Sequence, residues 1–566
     1  MEIFQAHVIV IQQASYDNAP SWIIFCESSV PDRLVSILPL RKKGKLCKVF
    51  IETKIKMLTK YWGTDLLLGI AGLVVLAYLY MTRKFKYWKN LGVMEPEPTP
   101  FIGNFGDCLK MKKSAGEWLQ GLYNWGAGRP YIGFYVFDQP FFLARDPELI
   151  KNILVRDFDY FQDRFAQASP EDRLGNANLF FVKNPAWKYV RSKITPIYTS
   201  WRLKKMFQLM TEVADDLKTH MAALPWKGGS LAIELKELCA KYTTDVIATT
   251  AFGLKVNSLN NPDAEFRKCG RDIFNFTFYR SIEFTCVFFA PRLTKPLKLK
   301  AFSPANTKFL RSAVWNTLNE RERSGINRDD LIDLLLELKK TQAPGPEKEL
   351  FDFDGDNVVA QAAVFFSAGY ETSGTTMSFT LYELALHQDV QSKLRTEIME
   401  NLEKTGGEIT YDMISDLSYL HMVVSEILRK YPPLPLLDRV AAQDYKVTNS
   451  ELVLKKGTPV YISLLGLHYD PQYFPDPHKF DPERFSAENK KTRPAGVYLP
   501  FGDGPHTCIG QRIGLLQTKL GLIELLRKFE FSPCEQTLMP MRFNPKALML
   551  AADGGVIMNV RKISAN

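Results

Sequence analysis

A chain of 566 residues that is 46% hydrophobic and 24% charged has the make-up of a folded protein, long enough for one large domain with appendages, and disorder is excluded as its default state. Its formal charge of +10 is not gathered into Lys/Arg runs interleaved with aromatics, and no zinc-finger spacing occurs, which excludes nucleic acid and favours an acidic membrane surface or an acidic protein as partner. The eight cysteines form no CxxC pair, which excludes a disulfide framework and a structural zinc site, and all but Cys508 read as small buried hydrophobes in a reducing compartment.

Residues 1–56 show no sustained periodicity and carry the basic cluster RKKGK at 41–45, and they read as an N-terminal extension outside the chemistry, with Met57 as an alternative start. The segment 57–90 reads as a membrane anchor. Leu66–Met81, LLLGIAGLVVLAYLYM, is preceded by Tyr61 and Trp62 and followed by Arg83, Lys84, Lys86 and Lys89, the flanks of a spanning helix with its C-terminal side cytosolic. Pro96, Pro98 and Pro100 then predict a stiff hinge over 91–106. The remainder, 107–566, is predicted to be mainly α with small β-sheets. Apolar runs at helical spacing dominate, and β-like runs such as 129–137 and 459–465 are a minority.

One predicted helix, Val358–Leu386, is apolar all round and therefore belongs in the middle of the domain. Within it, Ala368 and Gly369 are small enough to leave room for a small ligand, and a hydroxyl at Thr372 can bond back four residues and open the helix locally. The strongest signal is PFGDGPHTCIGQRIG, Pro500–Gly514. Gly502, Gly504 and Gly510 let the backbone turn tightly against a flat ligand, Phe501 can pack beneath that ligand, and Cys508 precedes an amphipathic helix whose free N–H groups favour a thiolate. Taken alone, the same residues would also suit a structural cysteine in a Gly-rich turn.

FxxGxxxCxG at Phe501, Gly504, Cys508 and Gly510 resembles the haem-binding signature of the cytochrome P-450 superfamily. Three further motifs follow the same family order: Trp187 and Arg191 in AWKYVRSK, the Ala368–Ser373 segment AGYETS, and Glu426 with Arg429 in SEILRKYPPLP followed by Arg484 in DPERF. The resemblance implies a cytochrome P-450 fold with one N-terminal transmembrane helix, with Cys508 as the axial ligand of haem iron. It implies that Trp187, Arg191, Arg439 and His506 contact the haem propionates, His506 standing where the family usually has arginine. Glu426, Arg429 and Arg484 would form a network supporting the haem loop. Glu371 and Thr372 would form an acid–alcohol proton relay beside the dioxygen site at Ala368. The implied activity is insertion of one atom of dioxygen into a lipophilic substrate, with electrons from NADPH–cytochrome P-450 reductase docking near Lys188 and Lys193, at the endoplasmic reticulum membrane. Insect detoxification-type members are the most similar. The substrate walls would come from Phe165, Phe180, Phe181, the 274–289 segment, Phe365, Phe366 and the ALMLAADGG turn, and the 274–289 segment would also touch the bilayer. Two other readings are a haem-thiolate isomerase or dehydratase needing no external electrons, which the intact Glu371–Thr372 pair argues against, and a non-catalytic haem-binding membrane protein.

Overall fold

The computed structural model describes residues 61–563, together with the backbone of four strands nearer the N-terminus. Those strands form two antiparallel pairs, Ala14–Tyr16 with Ala19–Ser21 and Leu34–Lys42 with Lys45–Thr53, so part of the stretch without periodicity is extended backbone. Met57 lies outside the described residues. The chain divides into two compact units, residues 1–81 and 82–566.

In the first unit, Trp62 opens a helix that runs to Thr82, and its stretch Gly63–Thr82 has mean hydropathy 1.9 with none of it buried by protein. At 1.5 Å per residue it spans roughly 30 Å, the thickness of a hydrocarbon core.

In the second unit, the proline-rich stretch lies against the body. Trp88 and Phe105 are fully buried, and Gly103 N–H and C=O both bond Thr99. Asn104 donates from its side chain to the carbonyls of Pro96 and Glu97, so the segment expected as a hinge is fastened along much of its length. Both β-like runs fall in one four-stranded sheet ordered Tyr131–Val136, Gln139–Ala144, Pro459–Ser463, Leu436–Val440. Its register sets Arg439 opposite Val460, and every residue of the strand but Val440 is buried. A second sheet joins Phe529–Ser532, Ile557–Lys562 and Ser230–Glu234.

Helices make up most of the rest. The central one, Gly355–Leu386, has 32 residues and is buried on nearly every side. Helix Leu235–Ala251 and the cysteine helix Gln511–Leu526 pack on it. The contact with Leu235–Ala251 is close because of Gly369: a Cβ there would lie 2.5 Å from Ile247 Cδ1. Ile247 thus packs directly against Gly369, and both residues line the same cavity as Ala368.

Candidate functional site

The cysteine loop is held from two directions. Gly504 takes φ +68°, and a Cβ on it would meet Leu154 O at 2.1 Å, so the turn seats directly on the neighbouring backbone and only glycine fits. The loop closes on itself where Cys508 N–H donates to Phe501 O at 2.8 Å. Behind it, Glu426 and Arg429 are both fully buried and form a two-pronged pair, Nε to Oε2 at 2.7 Å and Nη2 to Oε1 at 2.8 Å. Arg429 also donates to His468 O at 2.8 Å, and Asp481 N–H donates to Glu426 Oε1 at 3.1 Å. Arg484 joins at 3.5 Å, with a main-chain bond to Asp476 O at 2.8 Å. The three residues expected to meet do so, and the pair's polar atoms have partners, as burial requires.

Sequence reasoning missed His468, which connects this network to the loop. Its Nδ1 faces Arg429 O at 3.1 Å and its Nε2 accepts from Leu499 N–H at 3.1 Å, which fixes the neutral tautomer with the proton on Nδ1. Burial, and then the Arg429 cation, push its pKa down to about 3.

On the other side of Cys508 is a cavity of about 280 Å³, lined among others by Trp187, Arg191, Ala368, Thr372, Arg439, Phe501, His506, Cys508 and Gly510. Ala368 and Cys508 are exposed in the interior of the domain because both open onto this cavity, away from bulk water. Gly504 and Glu371 do not line it. Burial pushes the Cys508 thiol up, against the lowering effects of Gly510 N–H and of Arg191 and Arg164. A cation bound at this sulfur would favour the thiolate. Of the other described cysteines, Cys239, Cys269 and Cys286 are buried, and burial raises the last two thiols to about 12 and about 11. They are not poised for chemistry.

The cavity's charges are one-sided. Arg164, Arg191 and Arg439 line it, and no carboxylate does among the described residues. Arg164 pairs with Asp438 at 3.3 Å and stacks over Phe180, 4.0 Å from the ring centroid. Arg191 and Arg439 have only main-chain acceptors, Thr507 O at 2.9 Å and Asp438 O at 2.7 Å. Arg439 Nε has no protein partner at all, and burial followed by Arg164 pushes this guanidinium's pKa down to about 9. A buried cation, Arg439, and a half-buried one, Arg191, both without anions, predict a ligand with two anionic groups. Arg164 was not anticipated, and nothing in its local sequence distinguishes it from a surface arginine.

His506 departs from what the resemblance implied. It lies against Trp187, ring centroids 3.8 Å apart, and its Nε2 donates to Gln162 O at 2.9 Å. Burial and the arginines Arg439, Arg164 and Arg191 push its pKa down to about 2, so it is neutral. With its one N–H committed, the ring offers a lone pair at Nδ1, which a carboxylate does not accept. Its position clamps the cysteine loop to the Gln162 loop.

Thr372 Oγ1 donates back to Ala368 O at 2.7 Å. Glu371 points elsewhere: Lys236 Nζ lies 2.8 Å from its Oε1, an ion pair by distance although the ammonium is not aligned as a hydrogen bond. Phe180, Phe365, Leu179 and Ile247 line the cavity, whereas Phe165, Phe181 and Phe366 do not. Phe165 packs on Phe141 and Tyr461, Phe181 on Phe288, and Phe366 on Phe252 and Phe266, all as core.

Among the described residues no three His, Cys, Asp or Glu side chains converge to hold a metal. A single thiol can serve an iron whose other positions are filled by a macrocycle, and the apolar walls and two unpaired guanidinium groups suit a flat, dicarboxylate macrocycle such as haem. Fold and pocket together define a haem-thiolate protein. The family model described as Cytochrome P450 matches residues 94–558. Cytochrome P450 6k1 of Blattella germanica is 47% identical over 515 residues, which cover 88% of this chain and 98% of the relative. Probable cytochrome P450 6g2 of Drosophila melanogaster is 45% identical over 505 residues, 87% and 97% respectively, and cytochrome P450 9e2 of Blattella germanica is 38% identical over 510 residues, 86% and 96%. The chain belongs to the cytochrome P450 family and is a haem monooxygenase similar to insect members.

Proposed function

We propose that this enzyme oxidises lipophilic small molecules, foreign compounds or endogenous lipids and hormones, at the endoplasmic reticulum membrane, using NADPH-derived electrons passed on by NADPH–cytochrome P-450 reductase. The observation that carries the reading is a thiol facing an apolar cavity that also holds two guanidinium groups without anions. When bound, the haem supplies an iron that takes dioxygen and two electrons, so that one oxygen atom enters the substrate and the other leaves as water with two protons.

The chain's own residues provide the rest. Cys508 would ligate the iron, and Phe501, Gly510 and Trp187 would enclose the macrocycle. Arg191 and Arg439, with Arg164, would neutralise its carboxylates. Thr372, at the cavity wall, positions a proton next to Ala368, and Glu371 relays protons from the partly exposed side where Lys236 holds it. The Glu426–Arg429–Arg484 network, through His468, keeps the sulfur in place. The helix Gly63–Thr82 anchors the chain in a single pass with the basic residues after it on the cytosolic side. Phe278 and Tyr279, 64% and 60% exposed, rest on the bilayer. An acidic flavoprotein docks on Lys188 together with the open cleft of about 550 Å³ that shares Phe501 and Leu515 with the cavity and carries Lys490 and Arg493. Lys193 is less available, being 3.4 Å from Glu347.

Reduced microsomes holding the protein should show a red-shifted Soret band with carbon monoxide, and NADPH consumption with reductase should rise when lipophilic compounds are added. A folded, haem-supplied protein without that band would overturn the reading.

A further inference from the structure

Three successive carbonyls of the central helix each accept a side-chain donor. Thr372 Oγ1 binds Ala368 O at 2.7 Å, Gln517 Nε2 binds Gly369 O at 2.8 Å, and Thr243 Oγ1 binds Tyr370 O at 2.8 Å. In an unperturbed helix Gly369 O serves only the N–H of Ser373, so an outside donor there weakens the ladder at the residue after Thr372. Gln517 comes from a different element, the cysteine helix Gln511–Leu526, and also donates to Ser373 Oγ at 2.6 Å. Its orientation is settled by chemistry, since a carbonyl only accepts and the amide nitrogen must face Gly369 O. The other end of the amide is left without a partner: Gln517 is 1% exposed and its Oε1 makes no hydrogen bond in the protein. A buried acceptor without a donor is costly, and an apolar side chain of the same size would remove that cost, so packing alone does not account for glutamine here.

We propose that Gln517 is a positioning residue for the proton relay: by holding Gly369 O and Ser373 Oγ it competes with the ladder of the central helix next to Thr372 and sets the turn from which the Thr372 hydroxyl faces the cavity. The proposal rests on the oxygenation reading above. It gives an unusual sign. Removing the donor leaves Gly369 O to Ser373 N–H alone, so the helix bond at this point strengthens and its amides are better protected.

The test compares haem-loaded full-length protein with Gln517→Leu, in the same lipid environment. Hydrogen exchange of the peptide covering 369–374 should slow about threefold to tenfold in the variant, the range one net hydrogen bond supports. The thiolate-type carbon monoxide band should be retained. The share of NADPH electrons appearing as hydrogen peroxide should rise, and adding Thr372→Ala should raise it little further, because both changes act on one device. Faster or unchanged exchange, or an unchanged peroxide share, overturns the proposal, since a merely supportive role would loosen the helix. Should Gln517→Leu not fold, Gln517→Met serves, and failure of both would show that the residue acts in stability. If the unaltered protein performs no NADPH-driven oxygenation, the functional reading has failed; if it does and Gln517→Leu matches it in exchange and peroxide, only this inference has.

Discussion

Arg429 and Arg439 are both almost wholly buried in the same domain, and the fold treats them in opposite ways. Arg429 has a carboxylate on two of its nitrogens and a carbonyl on the third. Arg439 has one carbonyl, and its Nε has nothing. A buried cation that is fully partnered belongs to the scaffold, because its charge is neutralised within the chain. One left unpartnered belongs to a ligand, because the missing anion has to come from outside. The contrast separates the two sides of Cys508 more sharply than burial or hydrophobicity does.

Removing the sulfur between the two sides should have the largest effect. Cys508→Ala is expected to eliminate the red-shifted carbon monoxide band and all NADPH-driven product formation, read by difference spectroscopy and product assay. Next comes the scaffold side. Glu426→Ala leaves Arg429 buried without its anion, a loss of about 3–5 kcal/mol that rivals the whole stability of a typical domain. Little folded protein should be recovered, and denaturant titration of what remains should show the deficit. On the ligand side the same kind of surgery should do the opposite. Arg439→Met replaces a charge that has no anion in the chain, so the melting temperature of the folded body should not fall, while transfer of haem to an acceptor apoprotein should quicken by about tenfold, one charge-assisted contact. If Arg439→Met were as destabilising as Glu426→Ala, the distinction between the two arginines would be lost.

The last effect concerns pH and appears only in acid. His468 has a folded-state pKa of about 3 against an ordinary 6.5, so between those values the unfolded chain binds more protons than the folded one. Its contribution to stability is complete above pH 6.5 and is lost as pH falls toward 3, by up to roughly 5 kcal/mol. In His468→Gln the acid limb of a stability–pH curve should be flatter. An identical slope in the variant would remove His468 from the account.

What could be read from the sequence follows from how local each device is. The turn at Gly504, the sulfur and the helix after it are consecutive, so their spacing is a pattern on one line of text. The central helix was predicted at Val358–Leu386 and runs Gly355–Leu386, since an all-apolar period needs no partner to be recognised. Both β-like runs are strands because alternation within a short span is likewise local. Gln517, Lys236, Arg164 and His468 escaped for the converse reason. Lys236 lies 135 positions before Glu371, the residue it pairs with, and Gln517 is 148 positions from Gly369, so each looks like an ordinary polar residue on a helix. His506 could be located but not interpreted: only the fold shows that its N–H is already taken by Gln162 O, far away in sequence. Phe165 and Phe366 show the limit of composition, since aromatic residues that suit a cavity wall suit a core equally well.

The Gln517 amide runs from the helix that carries the sulfur to the helix that faces it across the haem pocket. It thus forms a short link between two walls of one cavity. Under the function proposed above, a push on the cysteine helix from a docked protein would reach the opposite wall through that amide, and the two deliveries the reaction needs would share one linkage.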